Sequence, residues 1–241
     1  MVKNCQIVEL GLMGYAEAWA LQKRVVAVRK TGAIEDVLLL CEHPHVITQG
    51  RNGKRENLLA SEYVLRQKGV EFHATDRGGD ITYHGPGQIV GYPILKLGEI
   101  RRDVVWYVRM LEEAMIRATA EFGITAERVA GKTGIWVGDG GAEEKLAAIG
   151  VHISRWVTSH GYAYNVSTDL RYFDLIVPCG IADRKATSLE KLLGRSVKRE
   201  EVAPRIAKYF GEVFELELKE TSRTELLDEL QQAEQPIAAS A

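Results

Sequence analysis

One cysteine of the chain, Cys179, lies between a proline and a glycine. Because neither neighbour suits the interior of a helix or of a central strand, this position is predicted to lie on a loop. A thiol on a loop is more accessible than a thiol in a core, so Cys179 is a candidate nucleophile. Cys5 and Cys41 lie in apolar, strand-like stretches and are predicted to be packing residues. With three cysteines and no C-x-x-C pair, a disulfide framework is not expected.

A nucleophilic thiol needs activation, because its ordinary pKa is about 8.5 and the thiolate is the reactive form. The sequence offers Lys145, the first residue of the segment KLAAIG at 145–150. The segment is predicted to be a strand, and its alanines and glycine would leave room for a substrate beside the lysine. From the residues alone, a charged strand end remains the commoner alternative.

The segment RGGDITYHGPGQ, at 77–88, contains four glycines. Glycine allows the backbone to turn sharply and to approach a ligand closely, and Arg77, Tyr83 and His84 could face a pocket. A tight hairpin explains the glycines equally well. The dinucleotide and phosphate-loop motifs G-x-G-x-x-G and G-x-x-x-x-G-K-[ST] do not occur here.

Two shorter clusters are weaker signals. The segment HGYAYNV, at 160–166, keeps side chains small at Gly161 and Ala163 and is predicted to be a strand that forms either a pocket wall or ordinary structure. The segment CEHPH, at 41–45, brings three potential zinc ligands together. Structural zinc sites usually take their ligands from two separated pairs, so a polar strand end is expected instead and no metal is predicted.

Composition limits the class of protein. The chain has 241 residues, and 31 Lys and Arg against 33 Asp and Glu give a formal net charge of −2, which argues against a nucleic-acid binder. No apolar run approaches the roughly 18 residues of a membrane helix, so no membrane partner is expected. Charges at Lys3, Glu9 and Glu17 interrupt the start, so a signal peptide is not predicted. These features predict a cytoplasmic protein.

The elements that must position these residues mix long helices with hairpins, which predicts a single α+β domain whose helices pack on a mixed, mostly antiparallel sheet. Long helices are predicted over about 12–30, 103–122 (with Asp103 as N-cap) and 202–214 (with Pro204 in the first turn). A hairpin is predicted over 133–153, and a short helix capped by Thr187 follows.

The C-terminal stretch differs in composition. We predict a catalytic domain over 1–218 and a tail over 219–241. The tail has a capping box at Ser222 to Glu225, and Leu226, Leu227 and Leu230 could dock a short helix. Beyond Gln235 the Pro, Ala and Ser composition predicts disorder.

Taken together, these segments resemble the lipoyl(octanoyl) transferase family. Residues 77–88 resemble its RGG-x-x-TYHGPGQ motif, residues 145–150 its K-[IL]-A-A-[IL]-G strand, and residues 178–180 its PCG loop. EHP at 42–44, GR at 50–51 and TGIWV at 133–137 resemble further elements of that family. The matches occur in order over about residues 35–195, and the cysteine together with the lysine strand is the discriminating pair.

The resemblance implies a fold shared with biotin and lipoate ligases, and it implies a reaction. Octanoyl, or lipoyl, passes from acyl carrier protein to the thiol of Cys179 as a thioester, and then to a lysine of a lipoyl domain. Lys145 would lower the pKa of the thiol and handle protons in both steps. The residues expected to bind substrate are Arg77, Gly78, Gly79, Asp80, Ile81, Thr82, Tyr83, His84, Ala148, Ile149, Gly150, Gly161, Tyr162 and Ala163. No cofactor is implied, because the thioester arrives already activated.

The implied partners are octanoyl-acyl carrier protein as donor, with lipoyl domains of 2-oxoacid dehydrogenase complexes and the glycine cleavage H protein as acceptors. A monomer is expected, and the basic residues Arg101, Arg102 and Arg109 are candidates for carrier docking. Two residues depart from the family pattern: His45 replaces a proline, and Tyr164 replaces an aliphatic residue and could narrow the acyl pocket. The alternatives are an ATP-dependent lipoate-protein ligase and a non-catalytic module that binds acyl carriers.

Overall fold

The computed structural model describes residues 3–177 and 185–238. Cys179 therefore lies outside the described residues. The described strands are β1 (Lys3–Leu12), β2 (Asp36–Glu42), β3 (Val46–Gln49), β4 (Glu71–Ala74), β5 (Ile81–His84), β6 (Gln88–Ile94), β7 (Ile135–Val137), β8 (Glu144–Ser154), β9 (Val157–Asn165) and β10 (Leu216–Glu220). The described α-helices are α1 (Tyr15–Thr31), α2 (Glu62–Gln67), α3 (Val104–Ala120), α4 (Leu189–Leu193), α5 (Arg199–Phe214) and α6 (Arg223–Ala238).

Seven strands form one sheet in the order β10-β1-β2-β6-β9-β8-β7. Strand β1 runs parallel to both β10 and β2, and every other neighbouring pair in this sheet is antiparallel. The predicted fold class, with a mixed and mostly antiparallel sheet, is confirmed. A second sheet of three strands, β4-β3-β5, was not predicted.

Helices cover both faces of the large sheet, and the sequence of β2 accounts for this. Leu38 and Leu40 pack in a core cluster with α3 and α5, whereas Val37, Leu39 and Cys41 pack in a second cluster with α1 and α6. A strand that is buried on both faces needs a continuous apolar run rather than an alternating one.

The glycine-rich segment 77–88 is not a hairpin. Strand β5 pairs with β3 in the small sheet, whereas β6 pairs with β2 and β9 in the large sheet. The glycines between them therefore carry the chain from one sheet to the other. By contrast, the hairpin predicted over 133–153 is confirmed by the antiparallel pairing of β7 and β8.

Two predicted helix starts are corrected. The cap of α4 is Ser188, whose hydroxyl accepts the Lys191 N–H at 3.3 Å, because the Thr187 N–H is already bonded to the Lys145 carbonyl at 2.9 Å. Helix α5 begins at Arg199, so Pro204 lies in its second turn and not in its first.

Other helix ends agree with the sequence. Asp103 caps α3 by accepting the Trp106 N–H at 2.9 Å. At the start of α6, the Ser222 N–H donates to Glu225 at 2.7 Å and the Glu225 N–H donates to Ser222 at 3.2 Å, as a capping box requires.

At the C-terminus, β10 spans position 218, where the sequence suggested a boundary, and pairs with β1. Leu226 and Leu230 of α6 are fully buried, and this helix continues to Ala238, further than the short helix predicted from the sequence. Within the described ranges, no helix is long and apolar enough to cross a membrane.

Candidate active site

A cavity of about 630 Å³ lies against β8 and β9 of the large sheet and is closed by the 77–84 segment. It brings together most of the predicted site residues, which are far apart in sequence. Those that line it are Arg77, Gly78, Gly79, Asp80, Ile81, Thr82, His84, Lys145, Ala148, Ile149, Gly150, Gly161, Tyr162 and Ala163. Tyr83 is not among the lining residues.

The wall that β8 and β9 present to the cavity is built from small residues. The antiparallel register pairs Ala148 with Ala163 and Gly150 with Gly161. A Cβ at Gly150 would lie 2.8 Å from the Gly78 carbonyl oxygen, and a Cβ at Gly161 would overlap the carbonyl oxygen of Gly91. Glycine is therefore required at both positions for the backbones to approach this closely.

Arg77 holds the glycine-rich segment to its neighbours. Its side chain is buried, and Nη2 donates to the carbonyl of Thr48 at 2.6 Å while Nε donates to Thr48 Oγ1 at 3.2 Å. The Gly78 N–H donates to the Val151 carbonyl at 2.8 Å, which ties the segment to β8. These contacts give Arg77 a clear structural role in addition to its place on the cavity wall.

Tyr83 lies on the other side of β5 from His84. Its hydroxyl hydrogen-bonds to His45 Nδ1 at 2.7 Å, and its ring stacks on Tyr172 with centroids 5.1 Å apart. Burial raises the pKa of the Tyr83 phenol. The unusual His45 thus completes an aromatic cluster behind the cavity rather than within it.

His84 lines the cavity from β5, on the side of the small sheet. Burial, together with nearby His43 and Arg77, lowers the pKa of His84 to about 3, so its ring is neutral at physiological pH. Its Nδ1 lies 2.8 Å from the Gln88 side-chain oxygen, and the Gln88 amide donates to Asn165 Oδ1 at 2.9 Å. The neutral ring therefore donates from Nδ1.

His43 adds a second neutral imidazole next to His84. Its Nδ1 donates to the Met13 carbonyl at 2.7 Å, which leaves Nε2 to accept from the Tyr92 hydroxyl at 2.7 Å. Burial lowers the pKa of His43 to about 4. Sequence reasoning missed Tyr92, and also Tyr15, whose ring stacks on His84 with centroids 6.1 Å apart.

His160 is a third buried histidine and, like His84, it lines the cavity. Its Nε2 lies 2.8 Å from Asp76 Oδ1, and burial lowers its pKa despite the opposing effect of that carboxylate. His43, His84 and His160 supply neutral rings, with the charged Arg77 and Asp76 beside them; we call this group the histidine end.

A second group of lining residues surrounds Lys145, and we call it the lysine end. Lys145 Nζ lies 4.6 Å from the centroid of the buried Trp136 ring, and Lys132 Nζ lies 5.4 Å from the same ring. Such placement over an indole face is attractive for an ammonium group. Lys132 and Lys185 also line the cavity here.

The backbone of Lys145 holds the chain that follows the PCG motif. The Lys145 N–H donates to the Lys185 carbonyl at 2.9 Å, and the Lys145 carbonyl accepts the Thr187 N–H at 2.9 Å. Before the motif, the Val177 N–H donates to the Asn57 carbonyl at 2.8 Å. The described chain is thus anchored on both sides of residues 178–184.

A buried carboxylate that sequence reasoning missed supports the lysine end. Glu112 on α3 is fully buried and accepts the Gly134 N–H at 3.0 Å, Arg109 Nη1 at 2.7 Å and Arg128 Nε at 3.1 Å. It fixes the loop that leads into β7 and Trp136. Glu112 follows Val108 by four residues, so helical spacing places it on the buried face of α3. The sequence therefore contained a signal that this carboxylate is buried. Since Arg109 is bonded to Glu112, it is a poor candidate for carrier docking.

Tyr164 does not narrow the cavity. Its ring is fully buried in the core beneath α3, and its hydroxyl lies 2.9 Å from Thr119 Oγ1. Cys5 and Cys41 are also fully buried, and burial raises both thiol pKa values, so their prediction as packing residues is confirmed.

Comparison with known proteins gives a consistent family. Residues 14–211 match the model of the lipoyl protein ligase A/B catalytic domain. The octanoyltransferase of Solibacter usitatus is 52% identical over 217 residues, covering 90% of this chain and 96% of that protein. The octanoyltransferase of Acidobacterium capsulatum is 53% identical over 225 residues, covering 89% of this chain and 91% of that protein.

Solved structures share the fold at low identity. A bi-partite lipoate protein ligase from Thermoplasma acidophilum has a TM-score of 0.76 at 16% identity and covers 98% of this chain and 92% of its own. Lipoate-protein ligase A bound with ATP has a TM-score of 0.74 at 16% identity, with coverage of 98% and 94%. The likeness to these structures is one of fold.

Proposed function

This chain belongs to the family of the lipoyl protein ligase A/B catalytic domain, and we propose that it transfers octanoyl groups through a thioester on Cys179. Relatives whose sequences are 52% and 53% identical to it are octanoyltransferases. The chain is therefore an acyltransferase that acts in protein lipoylation. The proposal adds the donor, the acceptors, the covalent intermediate and the residues that carry it. We assign catalysis to the domain over residues 1–218.

The observation that carries the proposal is the position of Lys145. Its ammonium lies at one end of a cavity whose wall is made of Ala148, Gly150, Gly161 and Ala163. An ammonium group near a thiol favours the thiolate. The segment with Cys179 ends six residues later at Lys185, whose carbonyl is bonded to the backbone of Lys145.

In the first half-reaction, the thiolate of Cys179 attacks the carbonyl carbon of the octanoyl thioester. The bond from that carbon to the sulfur of the carrier arm breaks, and the departing sulfur takes a proton from the Lys145 ammonium. In the second half-reaction, the amine of the acceptor lysine attacks the new thioester. The bond to Cys179 breaks, and Lys145 takes back the proton that the amine loses. Division into two steps lets one site serve two protein substrates.

The cavity suits an acyl chain beyond the reacting carbonyl. Small side chains leave space along β8 and β9, and the buried His84 ring that lines the cavity is neutral. An uncharged chain can therefore enter without leaving a buried ion unpaired. We assign octanoyl-acyl carrier protein as donor. The assigned acceptors are lipoyl domains of 2-oxoacid dehydrogenase complexes and the glycine cleavage H protein.

Intact mass spectrometry after mixing with octanoyl-acyl carrier protein tests the intermediate. We expect one hydroxylamine-labile octanoyl group, mapped to Cys179 and lost in Cys179→Ala. The matched controls Cys5→Ala and Cys41→Ala change thiols that are fully buried, so the adduct should persist. An adduct that survives Cys179→Ala would overturn the assignment of the nucleophile.

The ligase alternative makes a different prediction. An ATP-dependent ligase would attach free octanoate in the presence of ATP and would remain active as Cys179→Ala. We expect neither result, because a carrier-bound thioester is already activated. Turnover of free octanoate with ATP by the Cys179→Ala variant would favour the ligase.

A further inference from the structure

The turn between β8 and β9 has an unusual backbone. Its two residues are Arg155 and Trp156, and both have positive φ, at 51° and 63°. Two-residue hairpin turns of this kind favour Asn and Gly, because side chains with a Cβ are strained there. Strain of this sort persists where the side chains themselves are needed, for example at binding sites.

The side chains that this turn presents lie among apolar and basic neighbours. Trp156 is 36% exposed and Val105, on the first turn of α3, is 70% exposed. A Cβ on Gly98 would lie 3.5 Å from Trp156 Cβ and 3.7 Å from Arg102 Nε, so the tryptophan and Arg102 flank the same backbone. We call Arg102, Val104, Val105, Arg155 and Trp156 the tip surface.

The tip surface is positively charged. Lys30 lies close enough for Arg155 to add to the lowering of its pKa by burial. Lys30, Arg102 and Arg155 form no ion pair with any carboxylate of the described chain. Two acidic residues lie in this stretch and both are paired: Asp103 caps α3 and pairs with Arg101, and Glu99 pairs with Lys96 and Arg29. Exposed Trp and Arg side chains are the types most enriched at the centres of protein interfaces. An acidic protein surface is the complement of this patch.

The position of the tip surface distinguishes the two protein substrates. Arg155 follows Lys145 by ten residues of β8 and its turn, which is roughly 30 Å of strand. Val104, Val108 and Val151 line the cavity. An acceptor lysine must bring its own protein close to Lys145, whereas a donor thioester is carried on a long prosthetic arm.

We propose that the tip surface docks the acidic acyl carrier protein that delivers octanoyl, an inference that rests on the function proposed above. The carrier contacts Trp156 and Val105 with its apolar surface and Arg102 and Arg155 with its carboxylates. Its arm follows the valine-lined part of the cavity towards Lys145.

The test compares two donors, octanoyl on acyl carrier protein and octanoyl on coenzyme A, which has the same arm without the protein. For Trp156→Gly we expect kcat/KM for acylation of Cys179 by the carrier donor to fall about tenfold. The rate with octanoyl-coenzyme A should not change. Because glycine tolerates positive φ, the variant should also keep or raise the Tm, by about 2–4 °C.

Glu215→Gly is the matched control, since Glu215 also has a positive φ, at 56°, and lies after α5 away from the cavity. This variant should gain stability for the same reason, and its Cys179 should be acylated at the wild-type rate by both donors. Arg102→Glu should lower the carrier rate and reduce its dependence on salt, because one ion pair is lost.

Unchanged carrier kinetics in both Trp156→Gly and Arg102→Glu would overturn the docking proposal while leaving the thioester mechanism intact. A selective loss in the second half-reaction would assign the surface to the acceptor and would also overturn it. If the wild-type protein were acylated by neither donor, the proposed function itself would fail.

Discussion

The two ends of the cavity are both rich in polar side chains, yet they differ in charge. The lysine end carries the ammonium groups of Lys132, Lys145 and Lys185 around the face of Trp136. At the histidine end, burial lowers the pKa of His43 to about 4 and that of His84 to about 3. The difference begins with residue type, because lysine is ordinarily protonated at neutral pH and histidine largely is not, and burial lowers the pKa of these histidines further.

This contrast fits a site where charge changes at one end only. Thioester chemistry creates and removes charge near the carbonyl carbon, so a cation is useful there. The remainder of an octanoyl chain carries no charge. The neutral imidazoles of His84 and His43 are held in fixed orientations by hydrogen bonds to Gln88 and to the Met13 carbonyl.

Removing the cation at the lysine end should have the largest effect. In Lys145→Ala we expect both half-reactions to slow by about a thousandfold, as for loss of a general acid and base, and the thiol pKa to rise. Stopped-flow measurement of Cys179 acylation at a series of pH values gives the rate of the first half-reaction and the thiol pKa. Lys132→Ala, which removes the other ammonium over Trp136, is the matched control and should retain most activity. A pH–rate profile that is the same in Lys145→Ala and wild type would remove Lys145 from the mechanism.

The neutrality of the histidine end predicts a dependence of stability on pH. The pKa of His43 is about 4 in the folded protein and about 6.5 in an unfolded chain, so between these values only the unfolded chain binds the proton. The free energy of unfolding should therefore fall as the pH drops from 6.5 to 4, by up to about 3 kcal/mol for His43 alone.

Urea denaturation at several pH values measures this slope. In His43→Gln the free energy of unfolding should fall less steeply with decreasing pH. This holds whatever the substitution does to stability at neutral pH. His73→Gln, which changes a histidine with 26% of its side chain exposed, should leave the slope nearly unchanged. A slope unaffected by His43→Gln would show that this imidazole does not stay neutral on folding.

Blocking the space between the ends should have a smaller effect that depends on the substrate. Ala148 faces the cavity beside Ala163, so Ala148→Leu places three more carbons against the acyl chain. We expect kcat/KM for octanoyl donors to fall about tenfold, and that for a short acyl donor such as butanoyl to change less. Ala142→Leu, on the exposed turn before β8, is the control. Equal loss with both donors would contradict this position for the chain.

Much of the fold could be predicted because its signals are local. The cap at Asp103 and the apolar stripe of α3 lie within one helix, and the glycines at 138–141 mark the turn between β7 and β8. The pairing of β3, β4 and β5 into a second sheet was not predicted, because these strands pair across long stretches of chain.

The site was predictable by residue type and less so by role. Sequence motifs identified Arg77 and His84, but burial makes the first a structural anchor and the second a neutral ring. Glu112 was missed, because two of its three donors, Arg128 and Gly134, lie beyond its own helix in the stretch that leads to β7. Such roles depend on contacts between distant residues, which spacing along the chain does not reveal.

The smallest expected effect concerns Tyr164. The sequence suggested that this residue narrows the acyl cavity, whereas the structure places its ring in the core behind the cavity wall. Thr119 Oγ1 donates to the Met115 carbonyl at 2.7 Å, so the Tyr164 hydroxyl donates to Thr119. In Tyr164→Phe we expect a loss of about 1 kcal/mol in stability, because one buried acceptor loses its partner. The preference for acyl chain length should not change.

Thermal denaturation and a series of acyl donors of different length measure the two outcomes together. Tyr162→Phe is the matched change on the cavity side, where the lost hydroxyl has no hydrogen-bond partner among the described residues, so stability should not fall. A shift of chain-length preference in Tyr164→Phe would mean that the core beneath α3 and the cavity are mechanically coupled, and that the wall of small residues does not by itself set the length of the acyl chain.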